Sequence, residues 1–402
     1  MKHRIVVLGA GYAGAITAGR LAKRLHHDDI EITLVNGEPD FVERIRLHQL
    51  AAGQDLPNRP LHELYAGTGV RVRTAWVTAV DADRKTVELS GGSGLPYDTL
   101  VYALGSTAAD HGVPGVAEYA HNLAGRQGAL RLRARLAELA PGDTVMIAGG
   151  GLTGIEAATE IAEAHPHLKV AIAARAGVGT WLSDKARRHL DDALGRLAIT
   201  VHEGADITRV ERDGVLTTTT GQEEGAGGTR RLPADVTVWT TGFTVHPIAA
   251  ASALEVSDTG RIVVDGTMRS VSHPDVYAVG DAAFAIGAGG KPLRMSCAAA
   301  TPMAWQAADA LAARLTGRKV PETTIGYAAQ CLSLGRRDAI FQRVTEDDQV
   351  TSTVVTGRMG ARIKELICAG TTWSIKHPTM LQPTRRHRVT PSRTTEPHLA
   401  TA

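Results

Sequence analysis

Short apolar runs that lead into glycine-rich turns occur twice along the chain. The run IVVL at 5–8 precedes GAGYAG at 9–14, and VMIA at 145–148 precedes GGGLTG at 149–154. After each turn, apolar residues recur at helical spacing and a second apolar run follows. We therefore predict two strand–turn–helix–strand units, with helices at 13–25 and 153–164 and second strands at 31–35 and 170–174. Such units build parallel sheets, so the pattern predicts an α/β protein with an internal duplication.

The remaining pattern predicts smaller elements around these two units. Apolar and polar residues alternate over 70–90, as they do in hairpin strands, and 97–104 has the composition of a buried strand. Further predicted elements are strands within 198–215 and 274–281, an alanine-rich helix over Thr301–Leu315, a smaller strand layer over 323–358 and a hairpin loop at Glu223–Gly228. The tail from Leu381 lacks an apolar period, so we predict that it is disordered.

Composition is that of an ordinary globular protein with two or three domains. The 402 residues are 43% hydrophobic and 21% charged, and the net charge of +2 gives no electrostatic reason to expect nucleic-acid binding. Cys297, Cys331 and Cys368 form no CxxC, which excludes a cysteine-built zinc site and favours a reducing cytoplasm. No run of 18 apolar residues and no signal-peptide pattern occurs, so we expect no transmembrane segment. No spacing of histidines or acids predicts a metal site.

The first glycine turn has the pattern of a dinucleotide site. Gly9 allows a tight turn, Gly11 lets the backbone approach a pyrophosphate, and Gly14 lets the helix pack closely against the strand. The acid that usually accepts the ribose hydroxyls is replaced by Asn36, whose amide oxygen can still accept a hydrogen bond. The alternative is that Asn36 is only a turn residue before Gly37.

A second acidic candidate for the same site lies far downstream. The apolar strand VYAV at 276–279 ends in Gly280 and Asp281. A carboxylate at the end of a strand can accept hydrogen bonds from a sugar-alcohol chain, and it can also serve as the N-cap of a following helix. Both roles are compatible.

The second glycine turn repeats this geometry with Gly149, Gly151 and Gly154. Glu156 follows within the first turn of the helix, where the helix dipole alone would favour a carboxylate. The functional interpretation places Glu156 near a bound nicotinamide.

The end of the partner strand bears on which nicotinamide is preferred. Ala174 stands where an acid would recognise the ribose of NAD, and Arg175 follows it. The missing acid and the neighbouring cation favour a 2′-phosphate, and hence NADPH over NADH. The alternative is that Arg175 is an ordinary surface residue.

The order of these motifs resembles that of the FAD-dependent pyridine nucleotide-disulfide oxidoreductase superfamily over about residues 3–370. The motifs that carry the resemblance are GAGYAG at 9–14, YDTLVYALGS at 97–106, GGGLTGIE at 149–156, TTGF at 240–243 and VYAVGDAA at 276–283. The resemblance implies that the first turn binds FAD and the second NAD(P)H, with Glu156 as the catalytic residue. It implies further cofactor contacts at Tyr12, Ala13, Arg44, Val77, Ala103, Leu104, Gly105, Leu152, Thr153, Gly242 and Ala298.

The resemblance also implies a domain organisation with two Rossmann-like three-layer domains. In it, 1–112 and 260–320 form the FAD-binding domain, 113–259 an inserted NAD(P)H-binding domain, 321–380 a small α+β C-terminal domain, and 381–402 the disordered tail. The absence of CxxC sets aside the glutathione-reductase branch, so the chain is most similar to type II NADH dehydrogenases.

Two departures from that branch, and the placement of one cysteine, bear on the identity of the electron acceptor. Gln306 alone remains of the glutamines that such proteins carry on the helix facing the flavin. The segment 360–369 offers only a short apolar face, which we expect to pack on the protein rather than on a membrane. Cys297 is the only cysteine that we expect near the flavin, which disfavours a sulfide:quinone oxidoreductase.

The sequence thus predicts an FAD-containing NAD(P)H:acceptor oxidoreductase that passes hydride from nicotinamide to flavin N5. The acceptor would be a quinone-like or other small organic molecule. Two alternatives stay open: a flavin-dependent tailoring oxidase or dehydrogenase of secondary metabolism, and an electron-transfer flavoprotein that reduces a protein partner. Peripheral membrane contact and a homodimer also stay open.

Overall fold

The computed structural model describes residues 1–219, 228–382 and 384–390. Of the predicted hairpin loop only Gly228 falls within these ranges, and the tail beyond residue 390 lies outside them. No helix among the described residues is both long and apolar enough to cross a membrane. Within these ranges the chain forms two large parallel sheets and several small sheets or strand pairs, most of which are antiparallel.

The first large sheet has the strand order β19-β7-β1-β2-β3, and all its neighbouring strands run parallel. Its strands are β1 (His3–Leu8), β2 (Ile30–Asn36), β3 (Val70–Thr74), β7 (Thr99–Tyr102) and β19 (Val276–Ala278). A strand from the far end of the chain therefore completes a sheet that the N-terminus begins. The prediction of a hairpin over 70–90 is wrong in its first part, because β3 pairs in parallel with β2 instead of with its sequence neighbour.

The second large sheet repeats the arrangement with the order β12-β11-β10-β16-β9, again parallel throughout. Its strands are β9 (Ala120–Asn122), β10 (Thr144–Ala148), β11 (Lys169–Ala174), β12 (Thr200–Glu203) and β16 (Val236–Trp239). The two sheets confirm the predicted α/β class with internal duplication.

The small sheets and pairs are antiparallel except for β18 with β20. They are β4–β6 (Val77–Asp81, Thr86–Leu89, Gly94–Pro96), β8 with β17 (Ser106–Ala108, Phe243–Val245), β13–β15 (Ala205–Glu211, Gly214–Thr219, Thr229–Pro233), β18 with β20 (Ile262–Val263, Ala283–Phe284) and β21–β23 (Ala329–Ser333, Ala339–Val344, Val350–Thr356).

The helices pack on the sheets and bury their apolar faces in separate cores for the two halves. They are α1 (Tyr12–Arg24), α2 (Leu47–Ala51), α3 (Leu61–Leu64), α4 (Val116–Tyr119), α5 (Arg126–Ala137), α6 (Leu152–Ala164), α7 (Asp184–Arg196), α8 (Cys297–Leu315) and α9 (Gly357–Lys376), with 3-10 turns at Arg44–Arg46, Gly280–Ala282 and Ala288–Gly290. The glycine turns start α1 and α6 within one residue of the predicted positions.

Helix α8 begins four residues earlier than predicted, at Cys297 instead of Thr301. The side chain of Ser296 caps it by accepting a hydrogen bond from the backbone N–H of Ala299 at 3.4 Å. Pro302 therefore lies inside the helix, where it has no N–H to donate to the carbonyl of Ala298.

Part of the tail is ordered against the first half of the protein, contrary to the prediction. The backbone N–H of His387 donates to the carbonyl of Arg24 at 2.9 Å, and His26 N–H donates to the His387 carbonyl at 3.0 Å. Arg388 also pairs with Asp29 at 2.9 Å. Backbone pairing of this kind leaves no apolar period in the sequence, so composition alone did not indicate it.

Candidate active site

One large cavity of about 1740 Å³ is lined by both glycine turns, by the residues that follow β19 and by residues from α8, β21 and α9. Ligands of open parallel sheets bind at the carboxyl ends of the strands, which is where both turns lie. Pockets for a single small ligand are usually about 300–1,000 Å³. The cavity is therefore large enough for two cofactors that meet inside it.

The first turn is shaped as a phosphate cradle. Gly9 has a φ of +91°, and a Cβ on Gly14 would lie 1.9 Å from the Gly9 carbonyl oxygen, so neither position accepts a side chain. At Gly11, by contrast, a Cβ would meet no atom within 4 Å. The turn is thus tight where helix and strand meet and open toward the cavity, which fits a pyrophosphate at the N-terminus of α1.

Asn36 holds this turn in place. Its Oδ1 accepts a hydrogen bond from the Ala10 N–H at 2.9 Å, and its Nδ2 donates to the Glu38 carbonyl at 2.8 Å. One lone pair of Oδ1 remains for a ribose hydroxyl. Glu38 also lines the cavity and supplies a carboxylate two residues beyond the expected position.

Asp281 forms a polar group with Ser106 and Arg44 at the cavity wall. The Ser106 hydroxyl donates to Asp281 Oδ2 at 2.6 Å, Arg44 Nη2 donates to Ser106 Oγ at 3.0 Å, and Arg44 Nη1 lies 3.7 Å from Asp281 Oδ2. Arg44 also lies over the ring of Phe243. The structure thus brings together two predicted site residues that are 237 positions apart in numbering.

The second turn repeats the cradle. Gly149 has a φ of +116°, a Cβ on Gly154 would lie 2.0 Å from the Gly149 carbonyl oxygen, and Gly151 faces open space. Arg175 lines the cavity beside this turn with 73% of its side chain exposed, and its Nη1 lies 3.9 Å from Asp206 Oδ1. Its guanidinium is free enough to reach a phosphate.

Most of the other predicted contacts also line the cavity, with two exceptions. Those that line it are Tyr12, Ala13, Ala103, Gly105, Leu152, Thr153, Gly242, Gly280 and Ala298. Val77 and Leu104 instead pack against the core of the first half, because their side chains point to the buried side of the backbone. Trp76, the neighbour of Val77, lines the cavity in its place.

Gln306 does not face the cavity either. Only 7% of it is exposed, and its Nε2 donates to the Pro321 carbonyl at 2.6 Å. The cavity side of α8 presents Thr301, Pro302 and Trp305. Gln306, the one glutamine that remains on this helix, therefore does not line the cavity.

Glu156 is the centre of a buried ionic group that sequence reasoning did not foresee. Its Oε1 accepts hydrogen bonds from Lys364 Nζ at 2.8 Å, from the Ser333 hydroxyl at 3.0 Å and from the Ser333 N–H at 3.1 Å. His48 Nδ1 lies 3.8 Å from Glu156 Oε2. Glu156, Lys364 and His48 all line the cavity.

The charges of this group follow from its geometry. Burial opposes ionisation of Glu156, but the adjacent Lys364 and the hydrogen bonds lower the pKa of the carboxyl overall. Burial likewise opposes the charge on Lys364, yet Glu156 raises the pKa of the ammonium. Burial lowers the pKa of His48 to about 4. At neutral pH the group therefore holds an ion pair and a neutral imidazole.

The three cysteines converge on this cavity. Cys297 at the start of α8, Cys331 on β21 and Cys368 on α9 all line it, whereas the sequence led us to expect only Cys297 near the flavin. Burial raises the pKa of all three thiols, to about 11 for Cys331 and Cys368. They are protonated at neutral pH and behave as small apolar groups.

Helix α9 lies between this cavity and the surface. Lys364, Ile367 and Cys368 line the cavity, whereas Leu366 is 73% exposed and Ile367 40% exposed. The expectation that the apolar face of 360–369 packs on the protein is wrong for these two residues. The sequence contained a signal for Lys364, since a lysine four residues before Cys368 shares its buried helix face.

Comparison with known proteins places these features in context. The family model described as pyridine nucleotide-disulphide oxidoreductase matches residues 3–311. The chain is 29% identical over 363 residues to an NADH dehydrogenase-like protein of Mycobacterium tuberculosis, covering 84% of this chain and 87% of that protein. It is 26% identical over 394 residues to the type II NADH:quinone oxidoreductase of Staphylococcus haemolyticus, covering 91% and 94%.

Among solved structures, NDH2 from Plasmodium falciparum in complex with NADH has the same fold. The TM-score is 0.79 at 13% sequence identity, and the match covers 94% of this chain and 97% of that one.

Proposed function

The chain belongs to the pyridine nucleotide-disulphide oxidoreductase family, and from this premise we propose that it is an FAD-dependent NAD(P)H:quinone oxidoreductase. The family and the type II NADH dehydrogenase-like relatives make it an oxidoreductase that uses a flavin and a pyridine nucleotide. The proposal adds the identity of the flavin, the acceptor class and the roles of individual residues.

The observation that carries the proposal is a single cavity that joins both phosphate cradles to the buried Lys364–Glu156 pair. FAD fits the first cradle because Gly11 is open and because Asp281 and Arg44, which Ser106 joins by hydrogen bonds, form a polar wall beyond it. The open Gly151 and the exposed Arg175 fit a nicotinamide dinucleotide at the second cradle. Bound together, the two cofactors supply hydride transfer from nicotinamide to flavin and two-electron transfer onward.

The residues of this chain position the acceptor and supply charge in the cavity. The ammonium of Lys364 faces the cavity, where it can stabilise the negative charge that develops on a quinone oxygen and donate a proton to it. Glu156 keeps that amine protonated by raising its pKa. Ser333 holds Glu156 through its hydroxyl and its backbone N–H. Neutral His48 completes the pocket without adding a charge.

Helix α9 offers a route for an apolar acceptor. Ile367 and Thr371 line the cavity, and Leu366 and Ile367 are exposed on the outer side. A quinone-like ring that approaches along this apolar surface reaches Lys364 after about one helical turn. This supports a membrane-dissolved quinone over a highly polar acceptor. The tailoring-oxidase and protein-partner alternatives receive no support from the relatives.

The test is to purify the protein and to extract and identify its flavin. An anaerobic titration with NADH and with NADPH should bleach the flavin, and a water-soluble menaquinone analogue should then restore its absorbance. A protein without flavin, or one whose flavin neither nucleotide bleaches, contradicts the proposal. If oxygen reoxidises the reduced flavin but the quinone does not, the proposed quinone acceptor is wrong and the protein is still a flavoprotein.

A further inference from the structure

A second buried carboxylate lies one helical turn beyond Glu156. Glu160 of α6 is only 1% exposed, and its Oε1 accepts a hydrogen bond from Gln54 Nε2. Its Oε2 has no hydrogen-bond partner in the part of the chain that the structure describes. A buried carboxyl oxygen left unpaired costs free energy, so this arrangement needs an explanation beyond stability.

Glu160 is the middle member of a series of carboxylates. Glu156, Glu160 and Glu163 are spaced four and three residues apart on α6, so they share one helix face with about 5–6 Å between successive Cβ atoms. Glu163 is exposed, and its Oε2 accepts a hydrogen bond from the Arg336 N–H at 3.0 Å. The series therefore runs from the cavity to the surface.

The groups that face Glu160 leave it able to exchange a proton. They are Gln54 from the segment after α2, Arg336 from the β21–β22 connection, and Glu156 and Glu163 from α6 itself. Burial raises the pKa of Glu160 to about 7, with the two neighbouring carboxylates adding to the effect of burial and Arg336 and Gln54 opposing it. Near neutral pH both protonation states are therefore populated.

A second cleft also leads from solvent to Lys364, but its positive charge disfavours the passage of protons. A cleft of about 470 Å³ is lined by Ser333 and Lys364, by four arginines (Arg336, Arg337, Arg358 and Arg362) and by two acids (Asp338 and Glu365), so cations outnumber carboxylates there. Clustered guanidinium groups repel an excess proton, because each like charge raises its electrostatic energy. Carboxylates have the opposite effect, and along α6 the three carboxylates outnumber the two cations that face them, Arg336 and Lys364, so this face is the better proton path.

We propose that Glu160 relays protons from Glu163 at the surface to the Glu156–Lys364 pair. This inference rests on the proposed function. Reduction of a quinone consumes two electrons and two protons, of which NAD(P)H supplies two electrons and one proton. The second proton leaves Lys364 Nζ for the quinone oxygen. The Glu160 O–H then gives its proton to Glu156, Glu156 passes it to the neutral amine, and Glu163 returns a proton to Glu160 from solvent.

The test compares Glu160→Gln, which keeps the shape of the side chain, with Glu160→Asp, which keeps the carboxyl. Stopped-flow bleaching of the flavin by NADH should be unchanged in both. Quinone-dependent turnover of Glu160→Gln should fall roughly 10-fold, lose its dependence on pH around 7 and show a larger D₂O effect. Glu160→Asp should recover part of the turnover. A merely structural role of Glu160 would not move the pH profile or the D₂O effect.

A second variant keeps the test decisive if Glu160→Gln does not fold. Glu163→Gln changes an exposed residue, and it should lower turnover by roughly 2-fold at high pH, where protons are scarce. If the variants that fold show the same turnover, pH profile and D₂O effect as wild type, the relay is overturned and the proposed function still stands. A wild-type protein whose reduced flavin does not react with quinone instead overturns the proposed function, and the relay with it.

Discussion

Lys364 Nζ lies 2.8 Å from Glu156 Oε1, although the two residues are 208 positions apart in the chain. Helix α6, which packs with the second large sheet, thus supplies the carboxylate, and the C-terminal helix α9 supplies its cation. Both side chains are largely buried, at 6% exposure for Glu156 and 16% for Lys364. The pair therefore links the packing of α9 to the charge inside the cavity.

Replacing Lys364 by Met should leave Glu156 as a buried charge without a partner. Loss of one member of a buried pair costs about 3–5 kcal/mol, so the free energy of unfolding should fall by that amount. Quinone-dependent turnover should fall as well. Urea denaturation measures the first effect. Lys364→Met/Glu156→Gln should recover part of the stability, and Arg362→Met, on the exposed side of α9, should change neither quantity. A fully stable Lys364→Met would contradict the ionic role.

Stability should depend on pH through Glu160. Its pKa rises from an ordinary 4.5 to about 7 on folding, so the folded state holds the proton more tightly than the unfolded state. The stabilisation of the folded state by this bound proton is complete below pH 4.5 and is lost as pH rises through 7. The free energy of unfolding of Glu160→Gln, taken relative to that of wild type, should therefore rise by on the order of 2 kcal/mol between pH 5 and pH 8. Urea titrations at both pH values measure this, with Glu63→Gln, at an exposed position on α3, as the flat control.

Substitutions at the two open glycines, Gly11 and Gly151, should each weaken the binding of a different cofactor. Gly11→Ala and Gly151→Ala each place a methyl group where no protein atom lies within 4 Å, so both proteins should fold. Gly11→Ala should lose most of its flavin during purification, because the methyl group occupies the space of the first pyrophosphate. Gly151→Ala should keep its flavin and raise KM for the nicotinamide about 10-fold. The ratio of absorbance at 450 and 280 nm and steady-state kinetics distinguish them, and equal flavin content in both would refute the assignment.

Arg175 should determine preference between the two nicotinamides. Its exposed guanidinium can pair with a 2′-phosphate, so Arg175→Ala should raise KM for NADPH roughly 10-fold and leave KM for NADH unchanged. Arg187→Ala, on the exposed side of α7, serves as the matched control. If wild type uses NADH far better than NADPH, or if the substitution affects both equally, the preference for NADPH is wrong.

The exposed apolar residues of α9 should bind a membrane surface. Leu366 lies on the same outer side as Arg362, an arrangement that favours anionic lipid. Leu366→Glu should reduce cosedimentation with phosphatidylglycerol vesicles about 10-fold while turnover with a water-soluble quinone stays unchanged. Val271→Glu, an exposed apolar position outside α9, should not reduce it. Absence of wild-type binding would show that this surface serves another purpose.

Local signals were sufficient for much of the fold. A glycine turn between an apolar strand and a helix is specified by residues close in sequence, so α1 and α6 begin within one residue of the predicted positions. Some near-local expectations failed. Val77 has the pattern of its neighbours but points into the core, and the β3 strand pairs with β2 rather than with β4 because parallel pairing is not visible in alternation.

The sequence by itself determined the α/β class and the two phosphate cradles, since both depend on backbone geometry over a few residues. Tertiary structure alone decided the chemistry between them. Folding brings Ser333 and Lys364 from the C-terminal region, and His48 from the N-terminal region, against Glu156, and it leaves the buried Glu160 with an Oε2 that no described residue pairs with. Those contacts join residues hundreds of positions apart, and their charges depend on burial, which no local pattern encodes.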